Sequence, residues 1–143
     1  MTRAEIATLL ARHRDSFTRR DAEALAEDHA PDGTFQSPAH GVVRGRDAIR
    51  EVYRYWFAAF PDLQLGWEAP VIDEDRAAVF WDFRGTVAGQ FFGFAGDGAK
   101  VEVQGAADYR VSEDGIVSVR HVFDFSGMLM KAGVLKVKPK QPC

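Results

Sequence analysis

The sequence predicts a single α+β domain, and three observations carry that prediction. Apolar residues recur at spacings of three and four from Ile6 to Phe60; from Leu63 onward the period falls to two; and Glu113-Asp114-Gly115, a hairpin-turn sequence, separates the last two alternating segments. Helices followed by hairpin-linked strands imply an antiparallel sheet bent around helices laid on one face. The 143 residues suit one domain, expected over residues 1–135, with a loose basic tail at 136–143.

Each element has a local reason. Thr2-Arg3-Ala4-Glu5 is a capping box that opens a first helix, whose inner face is Ile6, Leu9, Leu10, His13 and Phe17. Asp21 caps a short second helix to about Asp28, and Pro31-Asp32-Gly33 ends it by turn chemistry. Thr34 to Ser37 is a short extended run stopped by Pro38. A third helix opens near Arg46-Asp47, faces inward with Ile49, Val52, Tyr53, Trp56, Phe57 and Phe60, and closes at Pro61-Asp62. Strands are expected over Leu63–Trp67, Val79–Arg84, Lys100–Val111 and Ile116–Phe125. In the last of these Val117, Val119, His121 and Phe123 share the inward parity. Met128 to Val134 forms a closing helical turn.

Composition excludes several classes of function. With 18 basic against 21 acidic residues and a net charge of −3, the chain lacks the basic face that nucleic acid requires. One cysteine, Cys143, excludes an internal disulfide and a cysteine zinc cluster, and the four histidines show no ligand spacing. No apolar run approaches the ~18 residues of a membrane span. The start, Met1 to Glu5, lacks the apolar core of a signal peptide. A soluble cytoplasmic protein without metal or cofactor is expected. Aromatic residues make up 12%, eleven of them Phe, so the core or a pocket within it is rich in rings.

No phosphate loop, dinucleotide fingerprint or His-Glu-x-x-His occurs. The glycines Gly85, Gly89, Gly93, Gly96 and Gly98 fit bulges and turns between strands. Of the histidines, His13 and His121 lie on apolar faces, where an imidazole is either a packed core group or a base working near neutral pH. His29 and His40 lie near turns and are expected at the surface. Asp82, Arg84 and Asp108 fall on the outward parity of their strands, and Asp124 either caps the turn after the last strand or serves a site.

Phe60-Pro61-Asp62-Leu63, the run from Gly85 to Gly93, and Tyr109 to Ile116 leading into Val122-Phe123-Asp124 resemble the SnoaL-like polyketide cyclase family. That family belongs to the nuclear transport factor 2-like superfamily, and the resemblance runs from about Ile6 to Leu135. It implies a cone-shaped, cystatin-like barrel in which a strongly bent antiparallel sheet wraps the N-terminal helices, encloses an apolar cavity and pairs sheet to sheet in a homodimer. The cyclases' acid–base carboxylate on the last strand falls at His121, and their histidine on the preceding strand at Ala107. Their Gly-Thr-His-Thr-Gly segment reads Gly85-Thr86-Val87-Ala88-Gly89. The ketosteroid isomerases' base, just before a proline, falls at Ser37; their tyrosine donor falls near His13 and their second acid at Ala107. The epoxide hydrolases' Asp-Arg-Asp set is not reproduced at inward positions. The resemblance therefore carries the fold further than any one activity.

The expected ligand is a small apolar or aromatic molecule. The expected site has His121 as general base and His13 as an enolate-stabilising donor, in a cofactor-free cyclase or isomerase acting on a polyketide-like or other cyclic carbonyl compound. Phe17, Ser37, Tyr53, Trp56, Trp81, Phe83, Ala107, Tyr109 and Phe123 are the expected contacts. The alternative is a non-catalytic ligand-binding or dimerisation module of the same fold, which the missing carboxylates favour.

Overall fold

The computed structural model describes residues 1–136 and 138–140, so part of the expected tail, Val137 and residues 141–143, lies outside the described residues. Helix α1 (Arg3–Thr18) opens on the predicted capping box: Glu5 N–H donates to Thr2 Oγ1 at 3.1 Å and Thr2 N–H to Glu5 Oε1 at 3.0 Å. Asp21 caps α2 (Ala22–Glu27). Strands β1 (His29–Ser37) and β2 (Gly41–Arg44) precede α3 (Arg46–Ala59), which buries Ile49, Val52, Tyr53 and Ala59. There follow β3 (Gln64–Trp67), β4 (Val71–Asp73), β5 (Arg76–Thr86), β6 (Gln90–Phe91), β7 (Phe94–Ala95), β8 (Lys100–Ser112) and β9 (Gly115–Phe123). Helix α4 (Phe125–Lys131) is capped by Asp124, whose Oδ1 accepts Gly127 N–H at 2.9 Å.

The main sheet runs β2-β1-β9-β8-β5-β3, with β4 also on β5, and it curls over α1 and α3. All of β5 pairs antiparallel with β8, and β8 with β9. One pair departs from the expected antiparallel arrangement: β1 lies parallel to β9. The expected turn at Pro31-Asp32-Gly33 is part of β1, where the register with β9 shifts between His29 and Thr34. The turn residues are absorbed as an irregularity because Gly33 lets the chain pass close to β9. A Cβ there would lie 2.9 Å from the Ile116 carbonyl oxygen.

A second irregularity corrects the parity of the last strand. Arg110 pairs with Ser118 but Val111 with Ile116, which leaves Val117 as an extra residue. Ile116 is fully buried and Val117, expected inward, is 43% exposed. Beyond that bulge the predicted parity holds, so Val119 and His121 face the interior.

β6 and β7 form a separate hairpin around Phe92-Gly93, both at positive φ (47° and 87°), as a two-residue type I′ turn requires. Phe92 tolerates this conformation because its N–H donates to the Tyr55 hydroxyl at 2.6 Å and its ring packs on Tyr55 and Phe125. Elsewhere in the sheet, Gly105 of β8 sits beneath the Trp81 indole of β5. A Cβ on it would lie 2.4 Å from that ring and 2.7 Å from the Val122 carbonyl oxygen. Gly105→Ala is expected to displace Trp81 and to cost ~1–3 kcal/mol by overpacking. The urea unfolding midpoint checks this, and an unchanged midpoint contradicts it.

Candidate functional site

The concave side of the sheet, α1, α3 and α4 line a partly open cavity of about 80 Å³, several times the ~10–15 Å³ that one buried water needs on the same measure. α1 contributes Phe17, and α3 contributes Val52, Tyr53, Trp56 and Phe57. Phe35 and Ser37 come from β1, Trp81 and Phe83 from β5, His121 and Phe123 from β9. Leu63, Leu65 and Met128 complete the lining. Eight of the expected contacts and acid–base residues are thus on the wall: Phe17, Ser37, Tyr53, Trp56, Trp81, Phe83, His121 and Phe123. Ala107, Tyr109 and His13 are buried but do not line it.

Few polar atoms of the wall are free. Tyr53 pairs its hydroxyl with His29 Nε2 at 2.9 Å, and the Trp56 indole N–H donates to His40 Nε2 at 2.9 Å. Ser37 Oγ accepts the His40 backbone N–H at 3.1 Å, which leaves its own hydrogen unassigned. His121 makes no hydrogen bond to any described residue. Its ring packs between Phe35 at 5.1 Å and Trp81 at 5.9 Å. Burial, and then the charge of His13, pushes the His121 pKa down to about 3, so the imidazole is neutral at physiological pH.

His13 stands one layer of rings behind this wall. Its Nδ1 lies 2.9 Å from Asp28 Oδ2, and Asp28 is also held by Arg12 at 2.8 Å. Burial pushes the Asp28 carboxyl up, but the hydrogen bonds and charges of His13 and Arg12 outweigh it and leave the group below its ordinary value. Asp28 therefore stays ionised and takes a hydrogen from His13 Nδ1. Tyr109 stands between the two histidines, 6.0 Å from His13 and 6.4 Å from His121 by ring centres.

Two expectations about histidines are corrected. His29, expected at the surface, is fully buried at the start of β1, with its pKa pushed down to about 3, first by burial and then by the charge of His13. His40 is half-buried against Tyr55, Trp56 and Phe92, and burial lowers its pKa too. Neither position has a local signal: His29 is buried by pairing with a strand late in the chain, and His40 by a helix that follows it. Asp28 was legible only as the end of α2; nothing in its neighbourhood announces its partner on α1. Among the described residues no group of three or more His, Cys, Asp or Glu is placed to hold a metal, and no helix is long and apolar enough to cross a membrane.

An apolar cavity between α1, α3 and a curled sheet defines a protein of the nuclear transport factor 2-like fold. Such a protein from Burkholderia pseudomallei superposes with a TM-score of 0.75 at 17% identity, over 87% of this chain and 95% of that one. A family model for SnoaL-like polyketide cyclase matches residues 7–131, and the chain belongs to that family. AclR of Streptomyces galilaeus, a candidate hydroxylase, is similar at 24% identity, over 97% of this chain and 91% of that one, with a TM-score of 0.81. IdmH of Streptomyces antibioticus, a candidate polyketide cyclase, is similar at 27% identity, over 89% and 97%, with a TM-score of 0.74. A search of curated proteins finds no match to the chain.

The buried histidines predict an acid-sensitive fold. Their folded pKa values, about 3 for His29 and His121, lie below the ordinary 6.5. Between those values the unfolded chain binds more protons, so the stability is complete above pH ~6.5 and is lost as pH falls. Each histidine is expected to remove about 1.4 kcal/mol per pH unit across that window. Urea midpoints at pH 7.5, 6 and 5 check this, and His121→Phe is expected to flatten the slope by about half.

Proposed function

We propose that the protein is a cofactor-free cyclase or isomerase whose cavity receives a polyketide-like or other cyclic carbonyl compound, with His121 as the general base. The observation that carries this is a buried imidazole with no hydrogen-bonding partner among the described residues, on the wall of a largely apolar cavity. In the first step a nitrogen of His121 takes a proton from the carbon beside the carbonyl, and the C–H electrons pass to the oxygen as an enolate. The enolate carbon then attacks a second carbonyl of the same molecule, and the proton held on His121 passes to the new alkoxide. Isomerisation differs only in returning the proton to another carbon. The low pKa of the empty site does not prevent this, because an enolate in the same cavity favours the imidazolium. Ser37 supplies a hydroxyl donor to the developing oxyanion. That role was expected of His13, which is turned to Asp28 behind the wall.

A second class of function has a specific observation in its favour. With His13 off the cavity and His121 so weakly basic when the cavity is empty, a non-catalytic binding module fits the same wall. The bicyclic ketone 2-tetralone separates the two. Wild-type protein is expected to accelerate exchange of its α-protons in D2O, followed by NMR, and His121→Ala to lose that acceleration while still binding the ketone. Binding without exchange in the wild type favours the module; acceleration that survives in His121→Ala removes His121 as the base.

We further propose that the outer sheet face joins two copies of the chain. It carries Arg76, Asp108 and Arg120, with Asp108 bonded to Arg76 at 3.0 Å and Arg120 at 3.4 Å. Beside this ion cluster Phe80 and Val122 are exposed at 52% and 53%, so the face is more apolar than the expected polar set of Glu102, Gln104, Asp108 and Arg110. A sheet pair burying the usual ~1,600 Å² should persist at micromolar concentration. Sedimentation is expected to give a dimer that Phe80→Glu dissociates, and a sole 15.9 kDa species in the wild type contradicts it.

A further inference from the structure

Trp56 of α3 stands where the cavity meets the ring cluster beside it. Its indole lines the cavity, stacks on Phe60 at 6.0 Å with an interplanar angle of 12°, and meets the wall residues Phe83 and Phe123 edge-on. It has one polar contact, the bond from its Nε1 to His40 Nε2 at 2.9 Å. The buried indole N–H groups of Trp67 and Trp81 have no partner among the described residues. Trp56 is therefore the tryptophan whose ring a hydrogen bond orients.

That bond sets the state of His40. An indole N–H only donates, so Nε2 accepts, and an uncharged imidazole that accepts at Nε2 carries its hydrogen on Nδ1. A proton added at Nε2 would set two donors face to face across 2.9 Å, and the two side chains would have to part. His40 lies half-buried in the turn between β1 and β2, within reach of solvent protons. Tyr55 and Trp56 of α3 face its ring, and so does Phe92 of the β6–β7 turn. Tyr55 is the one titratable group among them, and its hydroxyl accepts the Phe92 N–H at 2.6 Å. No neighbouring charge contributes to the lowered pKa of His40, which burial alone causes. The turn also reaches a second wall residue, since the His40 backbone N–H donates to Ser37 Oγ at 3.1 Å.

We propose that His40 is a positioning residue: by accepting the Trp56 indole hydrogen it holds that ring in the cavity wall, and a proton on its Nε2 releases the ring. The hydrogen bond stands independently of any reaction. Its effect on a ligand rests on the function proposed above, because only a ring compound seated in the cavity would register the position of Trp56. The folded pKa of His40 is lowered from 6.5, so the ring is held at neutral pH and released as pH falls below that value. His121, at about 3, stays neutral through the same range and contributes nothing to the change.

The test follows the Trp56 indole N–H by NMR from pH 7.5 to 5.5, over the range in which the amide spectrum stays dispersed, with Trp56→Phe assigning the resonance. In the wild type the resonance is expected to move with one midpoint below pH 6.5 and to lose its contacts to Phe60. His40→Gln, whose side-chain oxygen accepts but does not titrate, is expected to keep the resonance and the contacts at every pH. His40→Leu, which cannot accept, is expected to resemble the acid form throughout. Calorimetry with 2-tetralone is expected to show affinity falling by up to about tenfold per pH unit below the midpoint in the wild type, the limit for one competing proton, and staying level in His40→Gln. A wild-type indole resonance that keeps its position and contacts overturns the proposal, and so does a titration that persists in His40→Gln. Affinity that stays level while the indole moves overturns the positioning role. If 2-tetralone binds neither protein at any pH, the proposed function fails, and the indole titration still decides what His40 does.

Discussion

Asp28 joins the helical layer to the sheet, and much of the rest depends on that junction. Its carboxylate holds Arg12 and His13 of α1. Its backbone carbonyl accepts the Ile116 N–H of β9 at 2.8 Å, at the point where β1 begins its parallel run beside that strand. One residue thus sets where α1 lies against the sheet and where the first strand meets the last. A buried carboxylate is costly unless its charge is matched and its oxygens are bonded. Here a guanidinium and an imidazole N–H meet that requirement, and the match fixes which nitrogen of His13 turns inward.

The helices and the long strands were legible because their cause is local. The capping box, the 3.6-residue apolar period of α3 and the alternation of β8 each reside within a dozen or so neighbours. β1 was half-hidden because Pro31-Asp32-Gly33 has turn chemistry, which pairing with β9 overrides. Val117 was misplaced because a bulge is a property of two strands and leaves no mark on the period of one. The site divides along the same line. The apolar wall and His121 followed from parity and from the family resemblance. The Asp28–His13 pair did not, because an acid after a short helix looks like a cap until α1 is folded against it.

The interior holds two imidazoles whose burial keeps them neutral at physiological pH. His29 and His121 are each surrounded by rings, and burial rather than any single charge is the largest cause of their depressed pKa values. An imidazole held neutral in an apolar cavity is poised to receive a proton only when something anionic arrives with it. In the proposed reaction selectivity would come from the ligand: a molecule that develops negative charge beside the ring raises its basicity, and one that does not leaves it an inert wall. The same burial makes such a group a liability to the fold in acid, so the proposed chemistry and the acid sensitivity would share one physical origin.

That coupling clarifies how the carboxylate expected on the last strand can be an imidazole here without the fold changing. An ionised carboxylate on the same wall would need donors and a counter-charge, and the wall offers the Ser37 hydroxyl and the unbonded Trp81 indole N–H but no cation. A histidine needs no counter-charge, since its resting form carries no charge. The guanidinium of Arg12 and the N–H of His13 are already committed to Asp28 behind the wall. With the buried ion pair placed there and the cavity left largely apolar, a neutral imidazole is the form of titratable group that this wall buries.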